Sequence, residues 1–252
     1  MRLVNFPIVI FICSALTLWA ATRFGALLRK RAKLLQPEDL EDLSFVTGAV
    51  LTLLGLLIGF TFSMAISRYD QRKNYEEEEA NAIGTEYVRV DFLPAPDAAA
   101  TRELLRKYLD QRVLYYTTRR QSRVEEINAA TSRLQSEMWS KVRTAAAAQP
   151  NPVMATVASG MNDVLNTQGY TQAAWRNRIP IAAWGLMTVI SIGCSTLIGF
   201  SVRRPRRLVF LIVPLAVSIS FLLIADIDSP RGGLIRVSPQ NLLSLSDSMR
   251  PQ

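Results

Sequence analysis

The densest group of chemically capable side chains is a run of four glutamates, Glu76 to Glu79, with Asp70 six residues before it. Carboxylate oxygens are ligands that Mg²⁺ and Ca²⁺ prefer in proteins. Adjacent positions on a helix point in different directions, so at most two of the four can face one ion within a single chain. The run therefore indicates a solvated helix face or, once several chains assemble, a charged ring at a pore mouth, which favours cations.

The rest of the sequence offers little to an enzyme. It has no histidine, which removes the commonest general base and a common metal ligand. It has no serine elbow, phosphate-binding loop or metalloprotease motif. Its two cysteines, Cys13 and Cys194, lie in apolar stretches, where they are expected as small buried side chains and not as a disulfide or a metal site. We expect no enzyme, no metal and no cofactor.

Four apolar segments are long enough to cross a bilayer, which takes about 20 residues. They lie at about 6–21, 44–66, 181–202 and 208–225. The first is short, and a cleaved signal peptide is its alternative. A cut after Ala20 or Ala21 would put Leu18 or Trp19 where a small residue is needed, so we retain it as a span.

The polar region between the second and third spans is predicted to be helical throughout. No proline separates the second span from the charges that follow, so residues 44–93 form one predicted helix about 75 Å long. Pro94 and Pro96 end that helix, and Asp97 is the predicted cap of the next. Pro180 predicts a bend before the third span, with Trp175 and Trp184 as anchors at the membrane interface.

The predicted fold is an all-α polytopic membrane protein with four transmembrane helices and an extramembrane helical domain between the second and third. Four parts follow from this fold: the first transmembrane pair at 1–66, the helical domain at 67–178, the second pair at 179–227 and a tail at 228–252.

The second span carries small side chains at steps of three or four residues, which place them on one helix face. They are Gly48, Thr52, Gly55, Gly59, Ser63 and Ser67. Such spacing lets helices pack closely in lipid, and close packing is the simplest interpretation. Two alternatives are that this face lines a water-filled path, or that Phe60 and Met64 point inward as a hydrophobic constriction.

The stretch GFTFSMAISRYDQRK resembles the bestrophin signature, in which Gly-Phe is followed by a small residue, an Arg-aromatic-acid pattern and Arg-Lys. The matching positions are Gly59, Phe60, Ala65, Arg68, Tyr69, Asp70, Arg72 and Lys73. The segment ADIDSPRGG looks like the acidic-Pro-Gly segment that follows the family's last membrane helix. It matches at Asp226, Asp228, Pro230 and Gly232. The sequence is closer still to the bacterial bestrophin-like proteins, a sister group of small four-span proteins.

Bestrophins are pentameric ion channels in which the second membrane helix of each subunit lines the pore and forms a hydrophobic neck. The resemblance therefore implies a homo-oligomer, expected to be a pentamer, whose partners are its own copies, the lipid bilayer and inorganic ions. The pore-lining or neck candidates are Gly55, Ile58, Gly59, Phe60, Ser63 and Met64. The charges assigned to the pore mouth or to the family motif are Arg68, Asp70, Arg72, Glu76, Glu79, Asp226 and Asp228.

Several alternatives stay open at this point. The resemblance implies an anion pathway, whereas an acidic ring favours cations. A non-conducting membrane protein whose helical domain binds a partner is the alternative function. The expected location is a bacterial inner membrane, and the net charge of +8 is scattered, which argues against nucleic acid as a partner. Basic residues in the two short loops favour a periplasmic helical domain, but the resemblance implies a cytoplasmic one.

Overall fold

The structure is a computed structural model that describes residues 6–31, 37–201 and 209–250. Every regular element in the described part of the chain is helical, as predicted. In chain order the α-helices are α1 (Pro7–Arg31), α2 (Pro37–Arg89), α3 (Ala95–Thr117), α4 (Gln121–Ala148), α5 (Pro152–Arg176), α6 (Ile181–Ser201), α7 (Val209–Asp228) and α8 (Gln240–Ser248). Of these, α1, α2, α6 and α7 contain the apolar stretches long enough to cross a membrane.

The first helix is longer than the apolar stretch that predicted it. It continues about ten residues past Ala21 and ends at Arg31. Its last turn carries Arg29, Lys30 and Arg31, whose positive charges favour the negative end of the helix dipole. A charged turn therefore completes the helix and does not interrupt it.

The second helix is continuous, as the absence of proline predicted. It runs from Pro37 to Arg89, and one 3₁₀ turn, Val90–Phe92, follows it. The predicted cap of the next helix is wrong, because α3 starts at Ala95 with Pro94 at its cap position. Prolines are tolerated in a first helical turn, where the missing N–H has no partner to lose. Asp97 consequently lies inside that turn.

Residues 1–69 and 178–236 form one compact unit, here called the membrane unit. Its core includes Leu18, Leu54, Met187, Cys194 and Phe221. Cys194 is buried as expected, whereas Cys13 is exposed, and both are free thiols.

Two glycines bring α1 and α6 into direct backbone contact within this unit. A Cβ added to Gly25 would lie 2.0 Å from the carbonyl oxygen of Thr196, and one added to Gly199 would lie 1.9 Å from that of Thr22. Only glycine permits this approach, which is the small-residue packing typical of membrane helices.

Residues 70–177 and 237–252 form the second compact unit, here called the helical unit. The predicted bend at Pro180 is a complete break, since α5 ends at Arg176 and α6 begins at Ile181. Trp175 is only 6% exposed and packs 5.1 Å and 5.3 Å from the rings of Tyr115 and Tyr116, so it is not the interface anchor that was predicted. The four-part division of the chain stays a prediction.

Candidate functional site

Within the membrane unit, α2 presents one packed face and one exposed face. Leu54 and Ala65 are buried in the core of the unit. On the exposed face, a Cβ built on Gly48, Gly55 or Gly59 would meet no other atom within 4 Å. These glycines therefore do not pack against another helix in the described part of this chain. Close helix packing within one chain, the simplest of the three interpretations, is excluded for them.

The hydrophobic candidates lie on the same exposed surface as the small residues. Phe60 is 63% exposed and Met64 is 40% exposed. At about 100° per residue, Ser63 falls between Gly59 and Phe60 around the helix axis. The water-filled path and the hydrophobic constriction are therefore not opposite faces of α2, because one exposed sector contains both sets of residues.

Ile58 differs from the other five pore-lining candidates. Its side chain is half-buried and packs against the core of the membrane unit. Ile58 therefore packs in the membrane unit and does not lie on the exposed sector, which corrects its prediction as a pore-lining residue. The spacing of the small residues gave no sign of this. Gly55, Gly59, Phe60, Ser63 and Met64 are all on exposed positions.

The glutamate run divides between the interior and the surface of the helical unit. Glu77, Glu78 and the earlier Asp70 are exposed. Glu76 and Glu79 are 1% and 0% exposed, so the prediction that they face solvent or a pore mouth is wrong. Their spacing of three residues places both on the face of α2 that the other helices of the unit cover.

Glu79 lies at the centre of a buried polar cluster. Its carboxylate accepts hydrogen bonds from the guanidinium of Arg112, from the hydroxyl of Tyr116 at 3.3 Å and from the hydroxyl of Thr171 at 3.2 Å. Arg112 is also fully buried, and its guanidinium carbon lies 4.5 Å from the ring centre of Tyr115. Three helices, α2, α3 and α5, supply the cluster.

The charge of Glu79 changes the ionisation of its neighbours. The pKa of the Tyr116 hydroxyl is raised well above its usual value, mainly by burial and secondly by the negative charge of Glu79. Burial lowers the pKa of Arg112, but Glu79 and the smaller contributions of Tyr108 and Tyr116 together outweigh it, so that pKa is raised. Arg112 therefore keeps its proton, and the cluster is a buried ion pair with tyrosine as an added donor.

Glu76 receives the N-terminus of α8. Its carboxylate accepts hydrogen bonds from the backbone N–H of Leu242 at 3.0 Å and from the side-chain amide of Asn241 at 2.7 Å. The first N–H groups of a helix have no partner inside the helix, and a carboxylate is stabilised by the positive end of its dipole. Glu76 is therefore the cap that fixes the C-terminal helix to α2. Arg72, one turn earlier, is 1% exposed and so is also not a solvent-facing pore-mouth charge.

The acidic residues after the last span hold the membrane unit together. Asp226 accepts from the backbone N–H groups of Leu234 and Ile235, both at 2.8 Å. Asp228 accepts from the N–H of Ile179 at 3.1 Å and lies 3.8 Å from the guanidinium of Arg68.

Asp226 and Asp228 are 7% and 1% exposed, so these two residues of the predicted family motif form hydrogen bonds inside the membrane unit and are not solvent-exposed charges. Among the described residues no group of three or more Asp, Glu or Cys side chains is close enough to hold a metal ion.

Glu86, which was not among the predicted site residues, is fully buried in the helical unit. Neither of its carboxylate oxygens has a hydrogen-bond partner among the described residues. The pKa of Glu86 is raised to about 8, chiefly by burial, with a smaller decrease caused by Arg89 and a smaller increase caused by Asp163. The spacing of Glu79, Ile83 and Glu86 by four and three residues is the helical repeat that could have identified it as buried.

Comparison with known proteins places these features in a family. A profile described as a Bestrophin-like domain matches residues 9–242. The fold is similar to that of a bacterial bestrophin homologue from Klebsiella pneumoniae, at 16% identity and a TM-score of 0.63, over 97% of this chain and 99% of that one. A tyrosine-to-alanine variant of the homologue matches at 15% identity and a TM-score of 0.62, over 94% of this chain and 99% of that one. No curated protein matches in sequence.

Proposed function

This chain belongs to the Bestrophin-like family, and on that basis we propose that it assembles into a homo-oligomeric ion channel, with five copies expected, in a bacterial inner membrane. In this proposal α2 of each copy lines the pore. The bestrophin fold and the four membrane-length helices support the proposal of a channel. The sector of α2 that we assign to the pore is chosen because its residues are exposed.

One observation carries the assignment of the pore face. The sector of α2 with Gly55, Gly59 and Ser63 is exposed, and the glycines in it touch no other part of the described chain. Small residues gain little from contact with lipid tails, but they let neighbouring backbones approach and leave room for water. A face of this kind, repeated around an axis by several copies, would line a hydrated path.

Phe60 and Met64 are the proposed neck of this channel. Both are exposed in the single chain, and they follow Gly59 and Ser63 on the same sector. Copies arranged around an axis would bring these side chains towards one another. A ring of apolar side chains closes a narrow pore by excluding water, so removing bulk there should ease conduction.

The test is to reconstitute the full chain in planar bilayers and to compare Phe60→Ala with the native protein. We expect single-channel currents whose conductance or open probability rises in the variant. The matched control is Phe24→Ala, which removes the same side chain from an exposed position on α1 that we do not assign to the pore. Equal changes in the two variants would refute the neck.

Two further measurements complete the test. The mass of the protein in lipid nanodiscs gives the number of copies, and a monomer would favour the alternative of a non-conducting membrane protein whose helical unit binds a partner. Reversal potentials in a salt gradient decide between the anion pathway implied by the family and a cation pathway. If an oligomer of verified mass conducts neither anions nor cations, the proposal that the protein is an ion channel is refuted.

A further inference from the structure

One side of α1 is fixed against α6. A Cβ built on Gly25 would lie 2.0 Å from the carbonyl oxygen of Thr196. One turn further along α1, the guanidinium of Arg29 donates hydrogen bonds to the carbonyl oxygens of Phe200 and Ser201, at 2.9 Å and 2.7 Å. The last carbonyl groups of a helix have no partner inside it, so Arg29 supplies donors to the end of α6. These contacts determine which side of α1 is turned away from α6.

The side of α1 that is turned away carries a stripe of exposed residues. Trp19, Arg23, Leu27 and Lys30 follow one another at steps of four, four and three residues, which places them on one side of the helix. Trp19 and Leu27 are 41% and 57% exposed, and Arg23 and Lys30 are exposed as well. At 1.5 Å per residue the stripe is about 16 Å long, so these residues form one continuous surface.

The length of α1 assigns Arg23 and Lys30 to the membrane boundary. Counted from Pro7, about 20 residues cross the hydrocarbon core of roughly 30 Å, which brings the helix to about residue 26. The headgroup layer is roughly 5–7 Å thick on each side, and Arg23 and Lys30 are about 10 Å apart along the helix. Arg23 is therefore expected at the inner edge of that layer and Lys30 at its outer edge. α1 contains four basic residues and no acidic one, so it supplies no counter-charge of its own.

The guanidinium of Arg23 is positioned by the aromatic ring one turn before it. Its central carbon lies 5.2 Å from the ring centre of Trp19, which is a cation–π contact. The contact restricts the side chain but does not neutralise its charge. Guanidinium groups match phosphate groups with two parallel N–H···O bonds, and tryptophan favours the boundary between headgroups and hydrocarbon. A phosphate group at that boundary is therefore a fitting partner for Arg23.

We propose that this side of α1 binds an anionic glycerophospholipid from the surrounding leaflet. The lipid phosphate pairs with the guanidinium of Arg23, Lys30 adds a second positive charge to the same surface, and Leu27 between them contacts the apolar part of the lipid. Two positive charges on a helix without acids favour a lipid of net negative charge over a zwitterionic one, whose own cation they repel. The site requires α1 in a bilayer but does not require ion conduction, so it is independent of the proposed channel.

The test uses the full chain in nanodiscs made from equal amounts of anionic phosphatidylglycerol and zwitterionic phosphatidylcholine with the same acyl chains. After transfer to detergent, native mass spectrometry counts each lipid that stays bound to each chain. Arg23→Gln should lower the ratio of retained phosphatidylglycerol to phosphatidylcholine about fivefold, the effect of one basic residue near an anionic surface, and Lys30→Gln should lower it as well. Trp19→Leu keeps both charges but removes the ring beside Arg23, and should lower the ratio about two- to fivefold.

Two controls separate this site from general attraction between positive and negative charges. Arg133→Gln removes an exposed arginine from α4 in the helical unit and should leave the ratio unchanged. Inorganic phosphate, compared with sodium chloride of the same ionic strength, should not displace the bound phosphatidylglycerol. The proposal is overturned if Arg23→Gln and Lys30→Gln keep the native ratio, if Arg133→Gln lowers it as much, or if inorganic phosphate displaces the lipid. It is also overturned if Arg23→Gln reduces the number of copies in the complex without changing the ratio, since this side of α1 would then be a contact between copies.

Discussion

Replacing Glu86 by glutamine should remove a pH dependence from the stability of the protein. Glu86 is fully buried and neither oxygen has a hydrogen-bond partner among the described residues. Gly160 on α5 faces it so closely that an added Cβ would lie 2.1 Å from a Glu86 oxygen and 2.5 Å from Nη1 of Arg89. Burial raises the pKa of Glu86 from 4.5 to about 8. The folded chain therefore prefers the protonated acid.

The sign follows from the proton count. Between about pH 4.5 and 8 the folded state binds more protons at Glu86 than the unfolded state, so the free energy of unfolding falls as pH rises. The stabilising contribution is complete below pH 4.5 and is lost as pH passes about 8. At 1.36 kcal/mol for each unit of pKa, the upper limit of this loss is roughly 5 kcal/mol.

Glutamine imitates the protonated acid at every pH. Thermal unfolding of the full chain in nanodiscs, from pH 5 to pH 9, should show a native curve that falls relative to that of Glu86→Gln. For a chain of this size the relative change in Tm is about 10–20 °C at most. The control is Glu78→Gln, an exposed glutamate on the same helix, whose curve should run parallel to the native one. Parallel curves for Glu86→Gln would refute the reasoning.

Two other predictions concern stability. Arg112→Leu leaves Glu79 buried without its ion-pair partner and should lower the free energy of unfolding by about 3–5 kcal/mol in chemical denaturation, whereas Arg123→Leu at an exposed ion pair should change it by less than about 1 kcal/mol. Gly199→Leu should separate α1 from α6 and lower the Tm in nanodiscs, since even a Cβ there would lie 1.9 Å from a backbone oxygen; an unchanged Tm would show that the helices do not meet at that residue.

The fold could be predicted from the sequence because the bilayer dictates the length of an apolar helix. The third span was predicted at 181–202, and the helix is Ile181–Ser201. Pro94 and Pro96 likewise identified where the long second helix ends, since the helical conformation is unfavourable for a residue that precedes proline. Helix ends were less accurate where charged residues continue a helix, as they do up to Arg31, because charge does not end a helix.

The burial of individual charges could not be predicted, because it depends on residues that are distant along the chain. Glu79 is buried because Arg112, 33 positions later, and Thr171, 92 positions later, supply donors to it. Glu76 is buried because the N-terminus of α8 lies against that carboxylate. Without knowledge of these partners, four consecutive glutamates are predicted to be exposed to solvent. The burial of Ile58 has the same cause, because it packs against a core most of whose members come from segments distant along the chain.

The buried carboxylates of α2 show three ways of keeping an acid in the interior of the helical unit. Glu79 has a guanidinium beside it, and Glu76 has the N–H groups at the start of a helix. Glu86 has no hydrogen-bond donor among the described residues, and the charge of nearby Arg89 only partly offsets its burial, so its proton is what makes that burial tolerable. An ion pair and a helix cap stay in place as the solution becomes alkaline, whereas a proton is lost. Alkaline pH should therefore loosen the helical unit first where Glu86 meets Gly160 on α5, and hydrogen exchange of the α5 amides should accelerate there before it does around Thr171.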